Sequence, residues 1–321
     1  MWSGAGFWCV HAALKLNVFE TIADGAVTAD QLATRLDADP KGITILLGTL
    51  HSLRYLKQFA NRYRNSAMTN KWLRDSGSVN FSPLFMYWGA ILQHFMPHLA
   101  DSIRSGNNSD FYGWIESQPE VSRHFQQGMV QLARFVAEDV ARAVKVPVGA
   151  ARLLDIGGGH GEYAIAFCKK QPLLSAVVLD SEQALVTGQA TIAQAGFGDR
   201  ITTHAANFMT DDLPTGFDMV LAFNIVHGLK PADNIDLFRK LKDTLNPGGQ
   251  IVVLEQVHNV TPLPLTNVVS HILSMTYYNL LGGQVYTYDD IKAWLSETGF
   301  QEIRRKSILK ASSILVSAVK S

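Results

Sequence analysis

Short, continuously apolar segments alternate with amphipathic segments from residue 151 onward. Segments such as LLDIG, AVVLD and VVLEQ have the composition of strands buried on both faces of a sheet. The amphipathic segments between them are typical of helices, so the alternation predicts a doubly wound α/β fold with a parallel sheet. Residues 301–309 and 312–320 predict two adjacent strands with a tight connection. We therefore expect an antiparallel pair at the end of this sheet.

The first part of the chain has a helical pattern instead. Thr28 precedes one amphipathic segment and suits its N-cap, and Asp39 followed by Pro40 marks the start of another. The segment 57–73 then predicts a short wing, and this order indicates a winged helix. A long amphipathic helix is expected at 119–144, where it leads into the α/β part.

The change of pattern predicts how the chain is divided into domains. We expect a helical winged-helix and dimerisation domain at residues 1–105, linking helices at 106–148 and an α/β domain at 149–321. Segment 6–22 is apolar on more sides than a single surface helix needs. It therefore predicts a homodimer that forms through the N-terminal helices.

The charge of the chain limits the classes of partner. Its 321 residues include 28 basic and 28 acidic ones, a balance that argues against binding of nucleic acid or an anionic membrane through bulk charge. A winged helix also occurs in transcription regulators, but Lys41 is the only Lys or Arg in the would-be recognition helix at 41–53. DNA contact requires several basic residues there. We therefore predict no nucleic-acid partner.

Cysteines, histidines and apolar runs add further limits. Cys9 and Cys168 make neither a disulfide framework nor a paired-cysteine metal site, and a reducing cytoplasm is the expected location. The most apolar run, 84–92, is too short to span a bilayer, so no membrane partner is expected. His94 and His98 have helical i, i+4 spacing, which can bind a metal. A proline between them and the lack of a nearby acidic ligand favour pocket lining, and we predict no metal.

A glycine-rich loop follows the first predicted strand of the α/β domain. It comprises Asp155, Gly157, Gly159 and Gly161. A carboxylate at Asp155 would repel a pyrophosphate but suits a ligand with an ammonium, such as S-adenosylmethionine, whose carboxylate can meet backbone N–H groups. Asp180 ends the next strand and can accept hydrogen bonds from both ribose hydroxyls. A glycine-rich turn without a ligand is the alternative.

These residues resemble those of the S-adenosylmethionine-dependent small-molecule O-methyltransferases, typified by plant caffeate enzymes and bacterial antibiotic-tailoring enzymes. Segment 153–164 matches the family's cofactor loop, and Asp180 matches its ribose acid. Asn207 and Phe208 stand where the family has an aspartate and a hydrophobic residue at the adenine. The likeness covers nearly the whole chain. It implies a Rossmann-like class I methyltransferase domain with a seven-stranded, mostly parallel sheet, a small-molecule acceptor and a homodimer.

The resemblance also implies residues that line the acceptor pocket. The segment FQQGM is similar to the family's FNxGM, which puts Phe125 and Met129 near the acceptor. His271 and Met275 lie in segment 270–283, which would line the same pocket. A plain core helix is the alternative for this segment.

The catalytic positions follow the family pattern in part. His227 follows a predicted strand and stands where the family has its general base, and Glu255 stands at one of two glutamates that bracket this base. Gly228 and Leu229 replace an aspartate and a tryptophan, and the second glutamate would lie near Val285, whose side chain cannot take its role. A phenol has a pKa near 10, so a base within hydrogen-bond reach would assist its methylation. A histidine that only packs in the pocket is the alternative.

The sequence therefore predicts an S-adenosylmethionine-dependent enzyme that methylates a hydroxyl of an aromatic or polyketide-like small molecule. Methylation at carbon or nitrogen is one alternative. Another is a family member that binds the cofactor but catalyses other chemistry, such as a pericyclic rearrangement or a hydroxylation. The altered residues around His227 leave these alternatives open, and the sequence does not name the acceptor.

Overall fold

The computed structural model describes residues 2–77, 79–258, 260 and 264–321. Its internal contacts group the chain into two compact units. One unit comprises residues 1–94 and 115–132, and the other comprises residues 95–114 and 133–321. The domain boundaries expected from the sequence stay a prediction.

The first unit is mainly helical. Its helices and strands are α1 (Trp2–Lys15), α2 (Val18–Ile22), α3 (Ala29–Leu36), α4 (Pro40–Ser52), β1 (Leu56–Phe59), β2 (Arg62–Asn65), α5 (Ala67–Trp72) and α6 (Ser82–His94). The expected helix starts are confirmed: Thr28 caps α3 in a capping box, and the Asp39 carboxylate accepts a hydrogen bond from the N–H of Gly42 at the start of α4. The predicted wing is an antiparallel hairpin of β1 and β2, and the rest of that segment is α5.

Apolar side chains from these elements form the core of the first unit. Phe19, Leu32, Leu47 and Leu56 are almost fully buried. Gly89 lets α6 approach α1 closely, because a Cβ at Gly89 would overlap the ring of His11. The unit therefore has its own hydrophobic core, as an independent domain requires.

Three helices follow α6 along the chain and precede the first strand of the sheet. They are α7 (Leu99–Ser105), α8 (Phe111–Glu116) and α9 (Pro119–Ala143), with a short 3-10 helix at Met96–His98. The long helix expected at 119–144 is confirmed as α9. Helices α8 and α9 each contribute residues to both units.

The second unit contains a seven-stranded sheet. Its elements are β3 (Arg152–Ile156), α10 (Glu162–Lys170), β4 (Ser175–Asp180), α11 (Glu182–Gln194), β5 (Ile201–Ala205), β6 (Phe217–Phe223), α12 (Pro231–Thr244), β7 (Leu245–Gln256), α13 (Pro264–Leu281), α14 (Tyr288–Glu297), β8 (Phe300–Ile308) and β9 (Ser313–Lys320). The strand order is β5-β4-β3-β6-β7-β9-β8. Strands β3 to β7 are parallel, whereas β9 is antiparallel to both β7 and β8. The predicted parallel sheet with a terminal antiparallel pair is confirmed.

The strand order determines where a ligand can bind. From β3 the chain proceeds to β4 and β5 on one side, and it continues from β6 on the other side. The carboxyl ends of β3 and β6 therefore form a topological switch point, where open α/β sheets bind their ligands. The glycine loop follows β3 at this point. Among the described residues, no helix has the length and apolar character needed to cross a membrane.

Candidate active site

The glycine loop after β3 has a backbone that favours glycine. Gly157, Gly159 and Gly161 all have positive φ angles, of 59°, 24° and 71°. Residues with a Cβ atom rarely adopt a positive φ angle, so the shape of the loop requires glycine at these three positions. Gly161 is also the N-cap of α10, so the loop passes directly into a helix N-terminus that suits an anionic group.

Asp180 lies beside this loop, as predicted. Its Oδ2 accepts a hydrogen bond from the N–H of Gly159 at 2.9 Å, and its Oδ1 accepts one from the N–H of Ser181 at 2.7 Å. Burial raises the pKa of Asp180, and these two hydrogen bonds oppose the rise. The acid is therefore held against the loop at the carboxyl end of β4.

Asp155 is the buried acid of the site. It is fully buried, and its carboxyl group lies so close below the loop that a Cβ at Gly158 would be 2.7 Å from its Cγ. Neither carboxyl oxygen accepts a hydrogen bond of normal geometry from a described residue, although the backbone N–H of Ala164 is near enough to lower the pKa of Asp155 in part. Burial, and secondly the charge of Asp180, raise the pKa of Asp155 to about 8. Such an acid suits a cationic group as a partner, because an unpaired buried charge is unfavourable.

Asn207 and Phe208 are the residues predicted to contact adenine. The ring of Phe208 lies near Gly157, where Phe208 Cε1 would be 3.7 Å from a Cβ at the glycine. Asn207 is exposed, and its Oδ1 accepts a hydrogen bond from the N–H of Met209 at 2.9 Å. The aromatic residue thus lies at the glycine loop, and the contact of both residues with adenine stays a prediction.

The residues of this site fit S-adenosylmethionine, because the glycine loop and the buried acid suit its amino-acid end. The loop and the following helix N-terminus offer N–H groups to a carboxylate, and Asp155 offers an unpaired acid to an ammonium. Asp180 offers carboxylate oxygens to ribose hydroxyls. An amino-acid end and a nucleoside end are therefore both provided for by the residues present.

Gly188 is a site residue that the sequence analysis missed. It lies within α11, and a Cβ there would overlap the carbonyl oxygen of Gly159 in the glycine loop. The glycine therefore lets α11 pack directly against the loop. Its only signal in the sequence is a glycine inside a helical pattern, which is a weak indication of close packing.

His227 and Glu255 form a hydrogen-bonded pair, as the family pattern implied. His227 lies in a 3-10 helix at Val226–Gly228 after β6, and Glu255 lies near the end of β7. Glu255 Oε1 is 2.8 Å from His227 Nδ1, and its Oε2 accepts the backbone N–H of His227 at 3.2 Å. Glu255 is fully buried, whereas the His227 side chain is 15% exposed. A carboxylate only accepts hydrogen bonds, so this pair puts the proton of a neutral imidazole on Nδ1 and leaves Nε2 as an acceptor.

The backbone around His227 is fixed from several sides. The buried Asn234 donates its side-chain N–H to the carbonyl oxygens of Val226 at 3.1 Å and Leu229 at 3.4 Å. The hydroxyl of Tyr286 donates to Leu229 O at 2.6 Å. Neither residue stood out in the sequence, because their role depends on contacts with a turn that is distant along the chain.

The predicted acceptor residues lie in different units. Phe125 and Met129 are on the part of α9 that belongs to the first unit, and the ring of Phe125 is 5.2 Å from that of Tyr87. His271 and Met275 are exposed on α13 in the second unit. Their participation in one acceptor pocket stays a prediction.

The histidine pair considered for metal binding does not have helical geometry. Helix α6 ends at His94, and His98 ends the separate 3-10 helix that follows. Across the part of the chain that the structure describes, no group of three or more His, Cys, Asp or Glu side chains is arranged to hold a metal ion.

Comparison with known proteins identifies similar enzymes. The chain is 28% identical over 313 residues to 3-hydroxy-5-methyl-1-naphthoate 3-O-methyltransferase of Streptomyces sahachiroi, covering 93% of this chain and 88% of that one. It is 26% identical over 322 residues to L-tyrosine C(3)-methyltransferase of Streptomyces lavendulae, with coverages of 94% and 85%. The structure of human N-acetylserotonin methyltransferase in complex with SAM has a TM-score of 0.88 at 22% identity, with coverages of 100% and 96%. The fold is the same across that full length.

Family models match both parts of the chain. The model of the O-methyltransferase dimerisation domain matches residues 7–75. The model of the O-methyltransferase domain matches residues 96–301, which is more than half of the chain. The protein therefore belongs to the O-methyltransferase family and is an S-adenosylmethionine-dependent enzyme.

Proposed function

We propose that this enzyme methylates a hydroxyl group of an aromatic or polyketide-like small molecule and that His227 is its general base. The observation that carries the proposal is the 2.8 Å contact between His227 Nδ1 and the buried Glu255 carboxylate. The naphthoate O-methyltransferase among the relatives supports an aromatic acceptor.

The chain supplies a base and its orientation. S-adenosylmethionine supplies an activated methyl group when it is bound. Glu255 fixes the Nδ1–H tautomer of His227, so that Nε2 can take the proton of an acceptor hydroxyl. The carboxylate then stabilises the imidazolium that results. A positioned base contributes about 10²–10⁴-fold to such a reaction, and alignment of the acceptor with the methyl group contributes further.

The cofactor contacts are part of the same proposal. We assign the amino-acid end to Asp155 and the glycine loop, the ribose to Asp180, and the adenine to Asn207 and Phe208. The unpaired buried acid and the glycine backbone support this assignment.

Product mass tests the reaction. The protein is incubated with S-adenosylmethionine and, separately, 3-hydroxy-5-methyl-1-naphthoate, L-tyrosine and a set of simple phenols. We expect a product heavier than its acceptor by one CH₂, with the new methyl group on oxygen by NMR. A product of unchanged mass, or one that has gained only oxygen, would instead support a non-methylating family member.

A histidine substitution tests the base. We expect His227→Ala to lower turnover by roughly 10²-fold or more while the affinity for S-adenosylhomocysteine hardly changes, because the residue acts on the acceptor. The loss should shrink at high pH for a phenol acceptor, since solvent then supplies the phenolate. Turnover near the unsubstituted level at neutral pH would contradict the assignment of His227 as the base.

Methylation at carbon is a second candidate, favoured by the similarity to the L-tyrosine C(3)-methyltransferase. Removal of a phenol proton also activates the ring carbon beside the hydroxyl, so the same histidine could serve either outcome. The position of the new methyl group in the product distinguishes the two.

We also propose that the protein is a homodimer. The match of residues 7–75 to a dimerisation domain supports a homodimer formed through the N-terminal helices. A cytoplasmic location remains an expectation from the sequence.

A further inference from the structure

In the part of the chain that the structure describes, the imidazole of His227 pairs with a carboxylate at Nδ1. Glu255 lies at Nδ1. The second glutamate of the family pattern is replaced by Val285, which is 1% exposed and has no hydrogen-bonding side chain. One hydrogen bond fixes which nitrogen faces the carboxylate, but it does not restrict the tilt of the ring plane about that contact.

The ring of Tyr277 lies against the imidazole face. The two ring centroids are 4.1 Å apart and the ring planes differ by 20°, which is a stacked arrangement. Tyr277 is on α13, so the contact joins this helix to the turn that carries His227. Stacking over a full ring face restricts the tilt of the imidazole, which the hydrogen bond at its edge does not.

The segment that follows α13 packs closely against the backbone of His227. Gly283 follows α13, and a Cβ there would overlap the carbonyl oxygen of His227. The N–H of Val285 donates a hydrogen bond to the Ser274 side chain at 3.3 Å, which ties the following segment back to α13. These contacts hold the end of α13, the helix that carries Tyr277, close to the turn that carries His227.

The phenol of Tyr277 stays neutral beside the pair. Burial raises the pKa of Tyr277 above its ordinary value, and the charge of Glu255 raises it further. A neutral ring presents the negative face of its quadrupole to the imidazole, and this face attracts the imidazolium that forms when His227 takes a proton.

We propose that Tyr277 is a positioning residue, which holds the His227 imidazole in its reactive orientation by ring stacking where the family pattern has a second carboxylate. The inference rests on the proposed role of His227 as general base. It assigns the effect to the aromatic ring of Tyr277 and not to its hydroxyl.

The first test is an NMR measurement that needs no acceptor. Histidine is labelled with ¹³C and ¹⁵N, and the His227 signals are assigned by their absence from His227→Ala. Tyr277→Phe should keep the imidazole of His227 as rigid as in the unsubstituted protein, whereas Tyr277→Leu should increase the motion of the ring measured by NMR relaxation; the Nδ1–H tautomer, which Glu255 fixes, should stay the same in both. Tyr278→Leu is the matched control, because Tyr278 is the next residue on α13 and its hydroxyl bonds to Ser102 O at 3.3 Å. An imidazole as rigid in Tyr277→Leu as in the unsubstituted protein would overturn the proposal.

The second test is kinetic and uses the phenol that the enzyme is found to methylate. Tyr277→Phe should keep kcat within about twofold, and Tyr277→Leu should lower kcat about tenfold or more without changing the KM for S-adenosylmethionine, given the 10²–10⁴-fold worth of a positioned base. In the His227→Ala background the leucine substitution should have no further effect. A full loss in Tyr277→Phe, or an undiminished loss in the His227→Ala background, would overturn the ring-stacking role. If His227→Ala itself keeps its turnover, the proposed base fails, which is a separate result.

Discussion

At the scale of single residues, Asp155 makes cofactor binding dependent on pH. Its carboxyl group has a pKa of about 8 in the ligand-free protein, so it is protonated at neutral pH and must lose its proton to pair with an ammonium. Affinity for S-adenosylhomocysteine should therefore rise as the pH increases from 6 to 8, by up to about tenfold per unit for one proton, and should level off above 8. Isothermal titration calorimetry in buffers of different ionisation enthalpy measures this affinity and the number of protons released on binding.

The control for this prediction is a neutral replacement of similar shape. Asp155→Asn should weaken binding and remove the pH dependence, whereas Asp199→Asn, at an exposed position in the same unit, should do neither. The free energy of unfolding of the ligand-free chain has the opposite dependence on pH. The ligand-free folded chain holds the proton of Asp155 between about pH 4, the pKa of an unfolded aspartate, and about pH 8, so its free energy of unfolding should fall as the pH rises through that range. A pH-independent affinity in the unsubstituted protein would contradict the pairing.

Asp180 supports both the loop and the proposed ribose site. Asp180→Ala should weaken binding of S-adenosylhomocysteine by about 1.5–3 kcal/mol, the range for a hydrogen bond that involves a charged group, because the ribose loses its acceptor and the N–H of Gly159 loses its partner. Glu182→Ala, two residues away at the exposed start of α11, is the matched control and should bind normally. Calorimetry at one fixed pH gives the comparison. Equal affinities for the two variants would argue against the ribose contact.

The sequence predicted those site residues whose signal is local. The glycine loop with its acid and the histidine after β6 are short patterns at the ends of strands, and the structure pairs His227 with Glu255 as the family pattern implied. Gly188 and Tyr277 were missed because their role lies in contacts across long sequence separations. Periodicity and composition report how a residue fits its own element but not what the opposite element presents to it.

At the scale of secondary-structure elements, capping residues and apolar runs were sufficient to predict most boundaries. Thr28 and Asp39 cap their helices, and Gly299 follows α14 with a φ of 82°. Residues 246–249, Asn-Pro-Gly-Gly, have the composition of a turn but form an irregularity inside β7. Phe217 pairs with Leu245, but the next pairing is Met219 with Gln250. A turn signal and a bulge signal use the same residues, so only the pairing strand decides between them.

Helix α11 provides a test of element packing. In an exposed helix interior, Gly→Ala is expected to stabilise by about 0.5–1 kcal/mol. At Gly188 the contact with the Gly159 carbonyl oxygen outweighs this gain, because the obstacle is backbone and cannot move without shifting the loop. Gly188→Ala should therefore lower the melting temperature and weaken S-adenosylhomocysteine binding. Gly48→Ala is the control, since a Cβ at Gly48, inside α4, would meet no atom within 4 Å beyond its chain neighbours and the backbone of its own helix, and it should be neutral or stabilising. Identical behaviour of the two variants would show that α11 does not support the loop.

At the scale of the whole molecule, the chain passes from the first compact unit to the second and back once before it forms the sheet. Residues 95–114 group with the sheet, whereas 115–132 group with the helical unit. An amphipathic pattern shows that a helix has an apolar face, but it does not show which neighbour covers that face.

The first unit has an apolar surface. It includes a cavity of about 340 Å³ lined by Phe7, Phe81, Leu84, Phe85, Trp88 and Leu132.

This apolar surface predicts the assembly state. Trp8 on α1 is 41% exposed, and the cavity beside α1 and α6 has an entirely apolar lining, which is unfavourable for a surface left in water. We expect light scattering at tens of micromolar to give twice the chain mass of 35.3 kDa. Trp8→Glu should shift the protein toward the monomer, because a buried unpaired carboxylate opposes association. Leu173→Glu, at a position that is 89% exposed in the second unit, should leave the mass unchanged. A monomer for the unsubstituted chain would refute the proposed dimer, and equal masses for all three proteins would exclude Trp8 from the interface.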